Sequence, residues 1–232
     1  MKLLAFETAT EACSVALYLD GEIIERHEIA PRLHAEYALP WAEALLAEAG
    51  VTRSQLDAIA ISRGPGAFTG VRLAIALAQG IALALDKPVV AVSTLEAIAT
   101  QSQGERILAA IDARMGEVYL GAFARTGEQL TAISTEIVCA PEKATLPDAD
   151  GGWHGVGTGF AAVGGLLQQH LASQLASVDA TVLPHAADVA RLAIAAYARG
   201  EALAPERVEP AYLRNNVALT LEEQRALRAS RQ

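Results

Sequence analysis

Residues 62 to 85 read SRGPGAFTGVRLAIALAQGIALAL, the most informative segment for the architecture of this chain. It opens with Gly64-Pro65-Gly66, a turn in which proline fixes its own φ angle and the glycines adopt angles that other residues avoid. Thr69 is predicted to cap an apolar helix that runs to the end of the segment. Because Arg72 and Gln79 are its only strongly polar side chains, we expect other parts of the protein to cover nearly all of its surface.

Two rows of side chains follow this predicted helix, each with a spacing of four residues. The small row is Gly70, Ala74, Ala78 and Ala82, and the large row is Leu73, Leu77, Ile81 and Leu85. Small side chains let a second backbone come close, and large side chains fill its grooves. Two interpretations fit this pattern: both rows pack inside the chain, or one row docks another subunit. For the second interpretation, the predicted contact residues are Gly70, Leu73, Ala74, Leu77, Ala78 and Ile81.

The turn at residues 64–66 also has two interpretations. Backbone N–H groups at a glycine-rich helix start can hold an anion such as phosphate. The segment lacks the terminal Lys-Ser/Thr pair of a phosphate-binding P-loop, and it does not match the dinucleotide fingerprint. A plain turn between a strand and a helix is the alternative.

Composition restricts the classes of function. The 232 residues are 52% hydrophobic, enough for a substantial core, and the net charge is -9. An acidic chain is a poor stand-alone binder of nucleic acid, so we expect any contact with nucleic acid to go through a partner.

Cys13 and Cys139 lie too far apart in sequence to suggest a disulfide framework or a zinc site. Because Glu7 and Glu11 interrupt the apolar start, we expect no signal peptide and a cytoplasmic location. The predicted helix at 70–85 is too short, and too interrupted by polar residues, for a convincing membrane span.

A pattern of strands occurs twice. Strands are predicted at 3–7, 13–19 and 22–29 and again at 107–112, 117–125 and 129–138, and a shift of 105 residues lays Glu7 on Asp112. Each first strand therefore ends in a carboxylate. The repeat predicts two lobes built from βββαβα units, the second of them reduced. We expect a first lobe at 1–103, a second lobe at 104–214 whose last helix packs back on the first, and a polar tail at 215–232.

Several further elements follow from local patterns. Residues 34–49 are predicted to form a helix with Leu39, Leu45 and Leu46 inward, ended by Gly50. Strands are predicted at 56–62, 88–92 and 153–156. Further helices are expected from Thr94, at 159–175 and at 186–199.

Duplicated three-stranded meanders followed by helices are typical of the α/β fold of actin, sugar kinases and Hsp70. In that fold, acids at the ends of the two first strands position metal and phosphate across a cleft. Glu7 and Asp112 are the corresponding acids here, although each could instead cap its own turn. The hydroxyls of Thr8, Thr10 and Ser14 could bond a phosphate. The alternative is that they bond local backbone, as hydroxyls in turns commonly do. The predicted vestigial nucleotide cleft consists of Glu7, Thr8, Thr10, Ser14, Gly64, Gly66 and Asp112.

Three segments together resemble the TsaB family, formerly called YeaZ. They are FETATEACSVAL near the start, SRGPGAFTGVRLAIALAQGIALAL, and the late PAYLR. The resemblance extends to about Arg214, and the GPGAFTGVR run is its most diagnostic part. It implies a two-lobed actin-like subunit of the machinery that makes threonylcarbamoyladenosine in tRNA, paralogous to the TsaD transferase.

The resemblance also implies partners. A TsaB protein is expected to pair with TsaD through the helices of its first half, to be joined by the ATPase TsaE, and to form homodimers through the same surface when alone. It is expected to have no catalytic site and no metal or cofactor of its own, and to meet tRNA only through the complex. Whether ATP or ADP binds at the complex interface is left open.

The histidines agree with an accessory role. TsaD-type proteins hold a metal with two histidines four residues apart, whereas here His34 is followed four residues later by Ala38. A single histidine cannot hold a metal unaided. Two alternatives remain: a small kinase or ATPase that uses Glu7 and Asp112, and, less favoured, a metallopeptidase.

Overall fold

Two β-sheets, one from each half of the chain, organise the computed structural model, which describes residues 1–148 and 150–214. The strands of the first sheet are β1 (Lys2–Glu7), β2 (Ala12–Leu19), β3 (Glu22–Ile29), β4 (Ala58–Ser62) and β5 (Val89–Val92). Their order across the sheet is β3-β2-β1-β4-β5. β1 pairs antiparallel with β2 and parallel with β4, so a meander continues into a parallel half.

The second sheet repeats this arrangement. Its strands are β6 (Arg106–Arg114), β7 (Glu117–Thr126), β8 (Gln129–Ala132), β9 (Ile137–Cys139), β10 (Trp153–Val156) and β11 (Leu175–Asp179). Their order is β11-β10-β6-β7-β8, and β9 also pairs with β7. β6, like β1, is antiparallel to the next strand and parallel to a later one. The predicted α/β fold with two lobes of the actin type is confirmed.

Five α-helices accompany the sheets. They are α1 (His34–Glu48), α2 (Phe68–Leu85), α3 (Thr94–Ala99), α4 (Leu166–His170) and α5 (Ala186–Ala198). α1 and α2 cover one face of the first sheet, and α5, although it comes from the second half of the chain, covers the other. α2 connects the adjacent parallel strands β4 and β5.

Alternation along the strands of the first sheet separates two cores. On β1, Leu4 and Phe6 face α1 and α2, whereas Leu3 and Ala5 face α5. A period of two residues places successive side chains on opposite faces of a sheet. The face toward α5 is rich in alanine, on the strands and on the helix alike, so α5 lies close to the sheet.

Two predicted elements of the second half are wrong in extent. The helix expected at 159–175 is replaced by two short 3-10 turns, the brief α4 and the start of β11, because Val163, Gly164 and Gly165 all have positive φ angles. Left-handed residues interrupt a right-handed helix. The strand expected at 129–138 is divided into β8 and β9, and Ser134 in the gap accepts a hydrogen bond from the N–H of Ala122.

Two details of the first half also differ from expectation. Leu45 and Leu46 are buried, but Leu39 is 44% exposed. α2 begins at Phe68 with Ala67 as the residue that precedes it, so Thr69 lies inside the first turn and does not cap it. The predicted polar tail at 215–232 lies outside the described residues.

By length and composition α2 could cross a membrane, and it is the one helix in the described ranges that meets this criterion. Its position in the fold argues against that role. It is the crossover between two neighbouring strands, and Ala74, Ala78 and Ala82 on it are fully buried within the first lobe. The helix is therefore part of the lobe's core on one side.

Candidate functional site

The small row of α2 faces the interior. Ala74 and Ala78 are completely buried, and Gly70 is buried against the turn after β1. A Cβ atom on Gly70 would lie 1.9 Å from the carbonyl oxygen of Thr8. In this conformation the chain itself fills the space in front of Gly70, Ala74 and Ala78, so a partner contact through the predicted set stays a prediction.

The opposite side of α2 is open. Leu73, Leu77 and Ile81 of the predicted contact set are half-buried at its border. Between them lie exposed residues that we did not predict as contacts. These are Ala76, Gly80, Leu83 and Ala84, of which Leu83 is 63% exposed. We define the α2 face as Leu73, Ala76, Leu77, Gly80, Ile81, Leu83 and Ala84.

The α2 face carries no charge and no hydrogen-bonding side chain. Soluble monomers rarely leave contiguous apolar surface of this kind uncovered, and larger patches mark interaction sites. Gly80 leaves open space, since a Cβ there would meet no atom within 4 Å. A second helix could therefore approach the middle of this face closely.

The predicted phosphate turn is filled by the chain itself. The N–H of Ala67 donates to the carbonyl of Ala9 at 2.7 Å, and the Thr8 hydroxyl donates to the carbonyl of Gly70 at 2.7 Å. A Cβ on Gly66 would lie 2.4 Å from the Ala9 oxygen. These glycines serve a close approach between α2 and the turn after β1.

Glu7 is fully buried at the end of β1. Its Oε1 accepts the N–H of Ala9 at 2.5 Å, and Oε2 has no hydrogen-bond partner among the described residues. Burial raises the pKa of the Glu7 carboxyl to about 7, although nearby Ser62, the Ala9 N–H and His185 act in the opposite direction. Oε1 therefore caps the turn that follows β1, and a place for Glu7 in a nucleotide cleft stays a prediction.

The hydroxyls near Glu7 also bond backbone. Thr10 Oγ1 accepts the N–H of Ala12 at 3.3 Å, and Ser14 Oγ accepts the N–H of Ala186 at 2.7 Å. Ala186 is the first residue of α5, so Ser14 ties the helix from the second half to the first sheet. An unpaired N–H at a buried helix start is costly, and Ser14 removes that cost.

Asp112 is likewise occupied by local contacts. Its Oδ1 accepts the N–H of Arg114 at 2.7 Å, and its Oδ2 pairs with the Arg114 guanidinium at 2.8 Å. The GVGTG run at 155–159, which begins inside β10, packs tightly against β6, since Cβ atoms on Gly157 and Gly159 would lie 2.3 Å and 2.6 Å from atoms of Ala110. These glycines permit strand packing and do not form an open cradle.

His34 begins α1 and points at backbone. Its Nε2 lies 3.0 Å from the carbonyl oxygen of Thr10 and 3.1 Å from that of Ala12, so this nitrogen carries the proton and donates. In the described ranges no group of three His, Cys, Asp or Glu side chains is placed to hold a metal ion.

A cleft of about 1150 Å³ between the two halves was not predicted from the sequence. Its wall includes Ser93 and Glu96 from the first half and Glu136 from the second. Ser93 accepts the N–H groups at the start of α3 and donates its hydroxyl to the Glu136 carboxylate. Burial raises the pKa of both glutamates. The sequence offered one signal for the position of Ser93: a serine directly after β5 is a favoured cap for the helix that follows.

Comparisons with known proteins identify relatives of nearly the full length. The family model described as TsaD, tRNA N6-adenosine threonylcarbamoyltransferase, matches residues 23–221. The tRNA threonylcarbamoyladenosine biosynthesis protein TsaB of Escherichia coli (strain K12) is 42% identical over 226 residues, which cover 94% of this chain and 96% of that protein. The protein of the same name from Haemophilus influenzae is 40% identical and is covered over 95% of its length.

Two solved structures from Pseudomonas aeruginosa share the fold. One, described as an uncharacterized protein with similarity to peptidase YEAZ, has a TM-score of 0.85 and 46% identity and covers 92% of this chain and 99% of its own. The other, YeaZ, has a TM-score of 0.83 and 44% identity and covers 91% of this chain and 99% of its own.

Proposed function

Because the chain belongs to the TsaB family of tRNA threonylcarbamoyladenosine biosynthesis proteins, we propose that it is a non-catalytic subunit that binds and supports a TsaD-like transferase. That transferase places the threonylcarbamoyl group on the adenosine 3' to the anticodon in tRNAs that read codons starting with A. A TsaE-like ATPase joins the pair, and a separate synthase supplies the threonylcarbamoyl adenylate. The chain works in the cytoplasm and forms a homodimer when its partner is absent.

The observation that carries this proposal is the α2 face. It is apolar, free of charge and flanked by half-buried leucines, and its central Gly80 leaves room for a second helix. Helices pack by fitting side-chain ridges of one into grooves of the other, and small residues at the contact allow a short distance between axes. The transferase is proposed to pack a helix of its own against this face.

The contacts of the two acids in the predicted nucleotide cleft support an accessory role. Glu7 is buried beneath its own turn, and Asp112 is paired with Arg114, contacts that agree with structural roles for both carboxylates. No observation in the described residues favours the kinase or the metallopeptidase over the subunit. The net charge of -9 is consistent with tRNA binding through the partner.

Reconstitution of the reaction tests the proposal. Purified transferase and ATPase are incubated with tRNA and threonylcarbamoyl adenylate, with and without this chain, and the modified nucleoside is quantified by mass spectrometry. Modification is expected to require the chain and to persist with Glu7→Gln and Asp112→Asn, which keep the size of both side chains. Modification that proceeds equally without the chain, or that is lost with either variant while the chain stays folded, would contradict the non-catalytic role.

A further inference from the structure

Two of the three segments that carry the family resemblance meet at the surface. Arg72, from the GPGAFTGVR run, donates from Nη2 to the hydroxyl of Tyr212, from PAYLR. Its guanidinium carbon lies 3.2 Å from the ring centre of Phe68 and 5.1 Å from that of Tyr212. An arginine between two aromatic rings is held in one orientation by cation–π attraction and stacking. We call Phe68, Arg72 and Tyr212 the Arg72 cluster.

The segment that carries Tyr212 is fixed from both sides. Ala211 donates its N–H to the carbonyl of Arg63 at 2.8 Å, and Gln79 of α2 donates to the carbonyl of Pro205 at 2.9 Å. Beyond Tyr212, Arg214 pairs with Glu117 of the second sheet at 2.5 Å. The rings and the guanidinium of the cluster are therefore arranged before any partner arrives.

The cluster is exposed, and no acid among the described residues pairs with its charge. Phe68 is 62% and Tyr212 is 58% exposed. Within residues 1–148 and 150–214, Arg72 forms no ion pair, whereas seven other arginines do. Its described hydrogen bonds go to a carbonyl and a hydroxyl, both neutral groups. A guanidinium has five N–H donors, so donors remain for an incoming anion.

We propose that the Arg72 cluster is a preformed anchor that receives a carboxylate side chain of the transferase, beside the apolar contact made by the α2 face. Arg72 lies on α2 one turn before Ala76, so the cluster continues the α2 face toward the start of the helix. Interface hot spots are enriched in arginine and tyrosine, and planar guanidinium groups match carboxylates with two parallel hydrogen bonds. This inference rests on the proposed function, because it assigns a charged contact to the same partner.

A carboxylate fits the surroundings better than the phosphates of RNA. Stand-alone RNA binding uses several cations along a groove of a basic surface, whereas Arg72 lies beside the uncharged α2 face on a chain with a net charge of -9. Because Arg72 is a fixed cation at one end of the uncharged α2 face, a transferase helix that carries one matching acid can pack on this face in only one register.

The test compares affinities of the purified transferase for five forms of the full chain by isothermal titration calorimetry at about 0.05 M and about 0.5 M salt. The forms are the parent chain, Arg72→Gln, Tyr212→Ala, Ala76→Arg on the α2 face and, as a control for loss of one positive charge, Lys143→Gln. Lys143 is exposed and lies in the second lobe. Arg72→Gln is expected to weaken binding about tenfold at low salt and less at high salt, because a charge-assisted contact is screened.

The remaining variants separate the outcomes. Tyr212→Ala is expected to weaken binding about threefold, because Arg72 loses its hydrogen bond and one ring, and Lys143→Gln is expected to bind like the parent chain. Circular dichroism melts establish that every variant is folded. If Arg72→Gln binds like the parent at both salt concentrations while Ala76→Arg on the α2 face abolishes binding, the anchor is wrong and the proposed function stands. If Ala76→Arg also binds normally, the proposed function fails with it. If Arg72→Gln binds tRNA more weakly than the parent chain does when no transferase is present, the cluster is an RNA contact, and the proposal is overturned.

Discussion

The hydroxyl of Thr8 donates a hydrogen bond to the carbonyl of Gly70, 62 positions later in the chain, at 2.7 Å. This contact joins the turn after β1 to the first turn of α2. The same contact fixes which side of α2 is buried, and so leaves the α2 face toward solvent.

The fit between Gly70 and Thr8 predicts opposite effects for two glycine substitutions on one helix. Gly70→Ala places a Cβ 1.9 Å from the Thr8 oxygen and is expected to lower the free energy of unfolding by about 3 kcal/mol. Gly80→Ala meets no atom within 4 Å and is expected to raise it by about 0.5–1 kcal/mol, because alanine favours the helix. Urea unfolding followed by circular dichroism measures both, and equal effects would contradict the described packing.

The buried Glu7 predicts a dependence of stability on pH. Its pKa is about 7 in the folded chain and near the ordinary value of 4.5 in the unfolded chain, so the folded state binds the proton more tightly. The resulting stability is fully present below pH 4.5 and is lost as the pH rises to about 7.

The matched variant Glu7→Gln cannot titrate at this position. The stability of Glu7→Gln relative to the parent chain is therefore expected to rise by about 3 kcal/mol between pH 4.5 and pH 7. Other titrating groups, including His185 and Glu25, are common to both proteins and largely cancel in the difference. A difference that stays constant across this range would show that Glu7 is ionised normally.

Ser14 predicts that a single hydroxyl helps to hold α5 on the first sheet. Ser14→Ala leaves the buried N–H of Ala186 without its acceptor and is expected to cost about 1–3 kcal/mol in the free energy of unfolding. Ser54→Ala, at an exposed serine in the turn before β4, is the control and is expected to change stability by less than about 0.5 kcal/mol. Similar small effects in both variants would mean that α5 does not depend on this bond.

The sequence predicted most of the first half because its signals are local. The successive strands at 3–7, 13–19 and 22–29 and the apolar run after the glycine-proline turn each require only neighbouring residues to be recognised. The second half was harder, since Gly164 and Gly165 permit a helix as well as the left-handed turns that occur there. Local patterns do not distinguish these conformations.

The candidate site could be predicted only in part. Periodicity identified two rows on α2, but a row of small residues is suited equally to a sheet beneath it and to a partner above it. Only the packing of Gly70 on Thr8 shows which alternative holds. The meeting of Arg72 and Tyr212 depends on two segments 140 residues apart, and no periodicity connects them.

The most direct test of the account is the affinity of the purified transferase for two arginine variants of the full chain. Ala76→Arg places a charge in the α2 face, and Ala198→Arg places the same charge at an exposed position in the last turn of α5. Ala76→Arg is expected to weaken binding about 100-fold or more, because an unpaired guanidinium would be buried against an apolar partner, whereas Ala198→Arg is expected to bind like the parent chain. If both variants bind the transferase as tightly as the parent does, the α2 face is not the docking surface and the account is wrong.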